Sequence, residues 1–199
     1  MTSAAAPSAF ELPAALVSQG YRLRRETEED VPFLMRLYAS TREEELAPVP
    51  WTPEQKAAFL SQQFAAQRKH YYATIEKRRF DVLEREGEPV GRLYLDATPT
   101  RIYIVDIALM PAFRAQGLGT AILEALKAEG RASGRWVGIF VEKFNPALRL
   151  YRRLGFTEVA DHEVYLEMEW RPEAGAPGTQ APGTQAPEAQ NPAAAKPVS

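Results

Sequence analysis

Asp106, Arg114, Gly117, Gly119 and Tyr151 are the residues whose types and spacing could carry chemistry. Residues 106–120 read Asp-Ile-Ala-Leu-Met-Pro-Ala-Phe-Arg-Ala-Gln-Gly-Leu-Gly-Thr, a β-prone stretch, a tight turn and the opening of a helix. Leu118, Ala121, Ile122, Ala125 and Leu126 recur at the spacing that seats a helix against a sheet. The first amides of such a helix have no intrahelical acceptor, and the macrodipole adds positive potential there. Without side chains at Gly117 and Gly119 a phosphate can approach the backbone, and Arg114 brings a cation beside it. This is the chemistry of a pyrophosphate cradle. The plainer alternative is a glycine turn that only turns the chain.

Other phosphate motifs fit poorly. No Gly-x-x-x-x-Gly-Lys-Ser/Thr string is present, so a P-loop is excluded. A dinucleotide fingerprint would need a third glycine where Ile122 stands, although Glu142 ends the next strand at about the right distance. Kinase signatures are absent as well.

Around the turn, two further groups invite a chemical reading. Asp106 lies between the apolar Val105 and Ile107, surroundings in which a carboxyl can serve as a base, directly or through water. It could equally be a structural carboxylate. The segment 41–51 carries Glu43, Glu44 and Glu45 followed by Trp51, which could draw in a cationic amine against an apolar wall, with Tyr72 and Tyr71 as further aromatic candidates. An acidic run in a loop is also what plain solvation produces.

The elements that must position these groups can be read from the pattern. Tyr21–Arg25 reads as a strand, and Thr27 with Glu28, Glu29 and Asp30 opens a helix bearing Val31, Leu34, Leu37 and Tyr38. Thr52, Pro53 and Gln55 begin a second helix through Phe59, Leu60 and Phe64 towards His70. Residues 80–85 and 89–97 flank Gly87 as a hairpin, and 101–110 is the most β-prone segment. A helix over 117–133, a strand over 136–141, a helix over 145–154 and strands over 156–160 and 163–170 complete the order β-α-α-β-β-β-α-β-α-β-β, a mixed α/β fold. Asn145 is placed to cap the last of these helices with Pro146 at its first position, and Gly155 to end it in a left-handed stop.

Composition narrows the class. The chain has 199 residues, 45% of them hydrophobic and 25% charged, with net charge −2. That suits one soluble domain with appendages and provides no overall attraction to nucleic acid or anionic membrane. With no cysteine, disulfides, cysteine-ligated zinc and thiol nucleophiles are excluded, and His70 and His162 form no metal-spacing motif. Residues 1–20 read as a loose arm without the character of a secretory signal, although Phe10, Leu12, Leu16 and Val17 could dock as a short helix. Residues 171–199, with Ala-Pro-Gly-Thr-Gln twice in tandem, read as a disordered tail. A cytoplasmic protein with a domain over 21–170 is the simplest expectation.

Arg114-Ala-Gln-Gly117-Leu-Gly119 resembles the Arg/Gln-x-x-Gly-x-Gly/Ala signature of the GNAT superfamily of N-acetyltransferases. Asn145-Pro-Ala-Leu-Arg-Leu-Tyr151-Arg-Arg-Leu-Gly155-Phe156 is similar to that family's next hallmark, and Tyr21–Asp30 to its opening strand and helix. The resemblance spans about residues 21–170. It implies a central, mostly antiparallel sheet with splayed strands flanked by helices, and acetyl-CoA as co-substrate. It further implies that the backbone of Ile107, Ala108 and Leu109 pairs with the pantetheine arm. Amides of Ala115, Gln116, Gly117, Leu118, Gly119 and Thr120 would hold the pyrophosphate, and Asn145 would add a polar contact to the arm. Tyr151 would protonate the departing thiolate, and the same residue also reads as a core tyrosine on the stripe Leu148, Tyr151, Leu154. Arg149, Arg152 and Arg153 read either as partners of the adenosine 3′-phosphate or as an exposed helix face. The acceptor implied is a primary amine on a small molecule or a protein. A non-catalytic CoA-binding or interaction module on the same fold is the competing expectation, and a homodimer is compatible with both.

Overall fold

The computed structural model describes residues 10–75 and 78–172. Residues 1–9 of the expected arm and nearly all of the expected tail lie outside these residues. The described chain divides into a sheet unit, residues 10–26 and 78–172, and a helical unit, residues 27–75.

The sheet unit contains seven strands: β1 Tyr21–Arg25, β2 Arg78–Arg85, β3 Glu88–Ala97, β4 Arg101–Leu109, β5 Trp136–Glu142, β6 Thr157–His162 and β7 Tyr165–Trp170. Their spatial order is β1-β2-β3-β4-β5-β7-β6. Neighbours run antiparallel except β4 and β5, which are parallel and joined by the helix α4, Leu118–Ser133. A parallel pair needs such a crossover, and it is this crossover that carries the glycine turn. A short helix α1, Ala14–Val17, precedes β1, and α5, Leu148–Arg153, comes after β5.

Strand alternation sorts the side chains onto two faces. Leu93, Leu95, Ile102, Ile104, Val137, Ile139, Val141, Leu166 and Met168 share one core with Leu118, Ile122, Leu123 and Leu126 of α4 and Leu148, Tyr151 and Leu154 near α5. Each fully buried aliphatic side chain here contributes about 1.5–3 kcal/mol. Phe10, Leu12 and Leu16 join the same core, so this part of the N-terminal segment is docked and not loose, with Val17 left exposed.

In the helical unit, a 3-10 turn over Glu28–Asp30 leads into α2, Val31–Leu46, and α3 spans Pro53–Thr74. The turn is capped from both sides, the Thr27 amide donating to Asp30 Oδ2 at 2.8 Å. At the start of α3, the Thr52 amide donates to Gln55 Oε1 at 2.9 Å while the Gln55 amide donates to Thr52 Oγ1 at 3.3 Å. The expected capping residue and Pro53 are both in place. Among the described residues no helix is long and apolar enough to cross a membrane, and no group of three or more His, Cys, Asp or Glu could hold a metal ion.

Candidate active site

The site begins where β4 and β5 part. Their parallel register runs from Arg101 and Trp136 to Ile104 and Ile139 and then stops, while β4 continues to Leu109. On its other side β4 stays bonded to β3 to its end, with Gly91 opposite Leu109 and the Met110 amide donating to the Val90 carbonyl at 2.9 Å. The edge of β4 beyond Ile104, the segment holding Ile107, Ala108 and Leu109, is therefore turned towards a parting in the sheet. An irregularity in the β3–β4 register accompanies it, for Leu95 faces Ile104 and Tyr94 faces Asp106, leaving Val105 as the extra residue. Such a bulge bends the strand and re-aims the residues after it.

The turn after β4 is closed by its own side chains. The Arg114 Nε donates to the Leu109 carbonyl at 2.8 Å, and the Gln116 amide side chain donates to the Ala112 carbonyl. Ala115 stands at φ 57° and Gly117 at φ 83°, two left-handed residues within three positions. Gly117 is the N-cap of α4, and the first i→i−4 bond runs from the Ala121 amide to its carbonyl at 2.9 Å. The amides of Leu118, Gly119 and Thr120 precede that bond at the positive end of a 16-residue helix. A Cβ placed on Gly119 would meet only Leu150 Cδ2, at 3.9 Å, so the protein's own packing leaves room for a side chain there. Gly119 is spare volume beside free helix-terminal amides, which fits a phosphate group.

Tyr151 lies in the same core as α4, on α5, its ring edge-on to Phe156 at 5.7 Å. Burial pushes its phenol well above the usual tyrosine range, and the negative charge of Asp106 pushes it further, so it stays a proton donor throughout ordinary pH. The end of β4 and the α5 phenol thus share one electrostatic neighbourhood across the parting.

Two local expectations need correction. Asp106 is not surrounded by its apolar chain neighbours. Val105 is the bulged residue and Ile107 turns to the core, so the carboxylate points to the opposite face, where Arg92 Nη2 donates to Oδ2 at 2.7 Å. Nor does α5 start at Asn145. Its first residue is Leu148, and Asn145 Oδ1 instead accepts from the Ala147 amide at 2.9 Å, capping the turn ahead of the helix. Pro146 falls in that turn. Gly155 does take a left-handed conformation just past the helix, at φ 82°.

Sequence reasoning missed Arg92, Tyr94 and Glu26. Arg92 is buried on β3, 5.1 Å from the Tyr94 ring, and the Tyr94 hydroxyl donates to Glu26 at the end of β1. Burial raises the Tyr94 phenol, opposed by Arg92 and reinforced by Glu26 and Asp106. The signal available was a lone arginine at an alternate position of an apolar strand. The acceptor-side candidates belong to the helical unit. Glu43 and Glu44 are exposed on the last turns of α2 and not in a loop, because the helix runs to Leu46. Trp51 packs edge-on against Phe59 at 5.1 Å, and Tyr72 on α3 lies under Arg68 at 4.8 Å. Arg149, Arg152 and Arg153 are exposed, and Arg152 pairs with Glu158 at 2.6 Å.

Comparison with known proteins agrees with this geometry. The family model described as "Acetyltransferase (GNAT) family" matches residues 34–156. An N-alpha-acetyltransferase of Sulfurisphaera tokodaii is 32% identical over 110 residues, 45% of this chain, which spans 65% of that relative's length. The PaiA N-acetyltransferase of Thermoplasma acidophilum, solved with coenzyme A, superposes with TM-score 0.57 at 15% identity, covering 76% of this chain and 99% of that one. An acetyltransferase of Thermus thermophilus superposes with TM-score 0.54 at 22% identity, covering 76% and 97%. The fold is theirs, and with the match over 34–156 the chain belongs to the acetyltransferase (GNAT) family.

Proposed function

We propose that the chain moves the acetyl group of acetyl-CoA directly to a primary amine of a small molecule or a protein. The observation that carries this reading is the parting of β4 and β5 after Ile104 and Ile139, with the amides at the start of α4 and the buried Tyr151 phenol beside it. Acetyl-CoA supplies an activated thioester. The open edge of β4 at Ile107, Ala108 and Leu109 would take the pantetheine arm as an added strand, and Asn145 would contact it. Ala115 to Thr120, with Arg114, would hold the pyrophosphate. Tyr151 would give its proton to the thiolate, a role for which a phenol kept protonated by burial is suited. Glu43, Glu44, Trp51 and Tyr72 stand as acceptor-side candidates in the helical unit, on charge and aromatic character.

The relative named as an N-alpha-acetyltransferase makes a protein α-amino group the first acceptor to try. An acetyl-CoA-dependent reaction in a chain without cysteine suits a cytoplasmic setting. The test is calorimetric titration with acetyl-CoA and with NAD, followed by a thiol-release assay over peptides and small amines. Acetyl-CoA binding with amine-dependent release of free thiol supports the reading. Binding without release for any amine would leave a CoA-binding module.

A further inference from the structure

The face of the sheet turned away from Tyr151 carries a row of rings with a carboxylate beside it. Ile102 and Ile104, Ile139 and Val141, and Leu166 and Met168 enter the core, so Tyr103, Phe140 and Glu167 project from the opposite face. Tyr103 pairs with Gly138, where an added Cβ would meet the tyrosine ring at 3.0 Å, so that ring lies over β5. The Phe140 ring follows, 5.7 Å from Tyr103 and 5.3 Å from the His162 imidazole. Glu167 faces Phe140 directly in the register of β5 and β7. The His162 side chain is 50% exposed and that of Glu167 14%, so solvent reaches the cluster from the β6 side. Ile139 is the last residue of β5 paired with β4, and Phe140 is the next, so the cluster stands where the parting starts.

Glu167 has no matched counter-charge here. His162 Nε2 lies 3.6 Å from its Oε2, beyond hydrogen-bond reach, and an imidazole is a cation only when protonated. The permanent cations nearby are committed elsewhere, Arg171 to Glu169 at 2.6 Å and Arg101 to Asp96 at 3.2 Å. Beside the carboxylate, the Tyr103 hydroxyl is buried without a hydrogen-bond partner among the described residues. Burial raises this phenol, and the Glu167 charge raises it further against the pull of Arg101, so the two oxygens share one field. A sheltered carboxylate beside a second unspent oxygen is costly until a donor arrives. Rings flanking a carboxylate suit an ammonium or a guanidinium, which gains from the π faces and the negative charge together.

We infer that Glu167, walled by Phe140 and His162, binds a side-chain cation of the acceptor, a guanidinium or ammonium other than the nitrogen that is acetylated. The assignment rests on the acetyl-transfer reading above. Glu167 moves no proton in it. Its part is charge selection, favouring acceptors that carry a second positive group.

The chain has only two histidines, His70 and His162, so their imidazole NMR signals report the cluster and an internal control. Methylguanidinium added to wild type should shift the His162 signals to saturation and leave His70 unmoved, while neutral N-methylurea should shift neither. Glu167→Gln should weaken methylguanidinium at least about tenfold and, without ligand, melt no lower than wild type, since an unpaired charge is gone. No saturable shift in wild type, or equal affinity in Glu167→Gln, would overturn the site. A clearly lower melting temperature in Glu167→Gln would overturn it too, marking a structural pair with His162. The acceptor is then tested by kcat/KM for peptides bearing arginine or uncharged citrulline at one of the first three positions. Wild type should prefer arginine about tenfold, and Glu167→Gln should lose that preference. Saturable methylguanidinium binding with no arginine preference in wild type would overturn the link to the acceptor. Wild type that binds methylguanidinium and acetylates no amine at all would instead overturn the acetyl-transfer reading, a failure visible before any variant is compared.

Discussion

Arg92 Nη2 and Asp106 Oδ2 meet at 2.7 Å across β3 and β4, one residue past the bulge at Val105. The arginine side chain is only 4% exposed and the aspartate 17%, so the pair ties the re-aimed end of β4 to its neighbour from inside the protein. Arg92→Ala should cost about 2–4 kcal/mol, allowing for the part-exposed partner. In a urea-unfolding double-mutant cycle, adding Asp106→Asn should restore part of that loss, since the carboxylate left unpaired is then gone.

Tyr151→Phe keeps the ring against Phe156 and removes only the acid. It should lower kcat about 100-fold or more with CoA affinity unchanged. Because burial and Asp106 hold the phenol above the usual range, loss of the Tyr151 proton should produce no falling limb in the wild-type profile below about pH 10.

Alkaline stability carries the same sign. Tyr94, Tyr103 and Tyr151 all have phenols raised by burial above their ordinary value of 10.0. Above that pH the unfolded chain sheds these protons while the folded one keeps them, so stability should be level below about pH 10 and fall as pH rises further. The share of phenolate absorbance that Tyr94→Phe, Tyr103→Phe and Tyr151→Phe remove should then appear together with loss of circular dichroism, and its appearance ahead of unfolding would contradict this.

Gly119 separates fold from ligand. Its Cβ position is open except for Leu150 Cδ2 at 3.9 Å, so Gly119→Val should melt near wild type yet weaken CoA at least about tenfold by filling the cradle. Gly117→Ala differs, because φ 83° burdens any side chain by about 1 kcal/mol whether or not CoA is present. Parallel calorimetry and thermal melts distinguish the two.

Asn145→Ala removes the bond to the Ala147 amide and should cost about 1 kcal/mol. With α5 only six residues long, the loosened turn should also lower kcat through Tyr151, which steady-state kinetics beside a thermal melt would register.

The sequence was most informative where chemistry is local. Thr52 with Gln55 announces a helix start, and the glycine turn announces α4, because caps and left-handed turns are built from residues a few positions apart. The element order was legible for the same reason. What stayed hidden depends on pairing. Arg92 reaches Asp106 only through the antiparallel register, and a one-residue bulge decides which face the carboxylate takes. Alternation around Val105, read without that bulge, puts Asp106 on the wrong side. Asn145 was misjudged because Asn-Pro caps a turn as readily as a helix.

An unpaired strand edge ordinarily invites aggregation, since any extended peptide can zip onto it. Here the bare stretch of β4 lies in the interior of the sheet, with β5 standing along the other bank. A second polypeptide strand, with side chains above and below, would have to enter between two strands already joined at Ile104 and Ile139. A slender chain carrying amides but no side chains faces no such obstacle. On the proposed reading, the fork would then act as a sieve on molecular cross-section, leaving a sticky edge open to the pantetheine arm and closed to a second polypeptide strand.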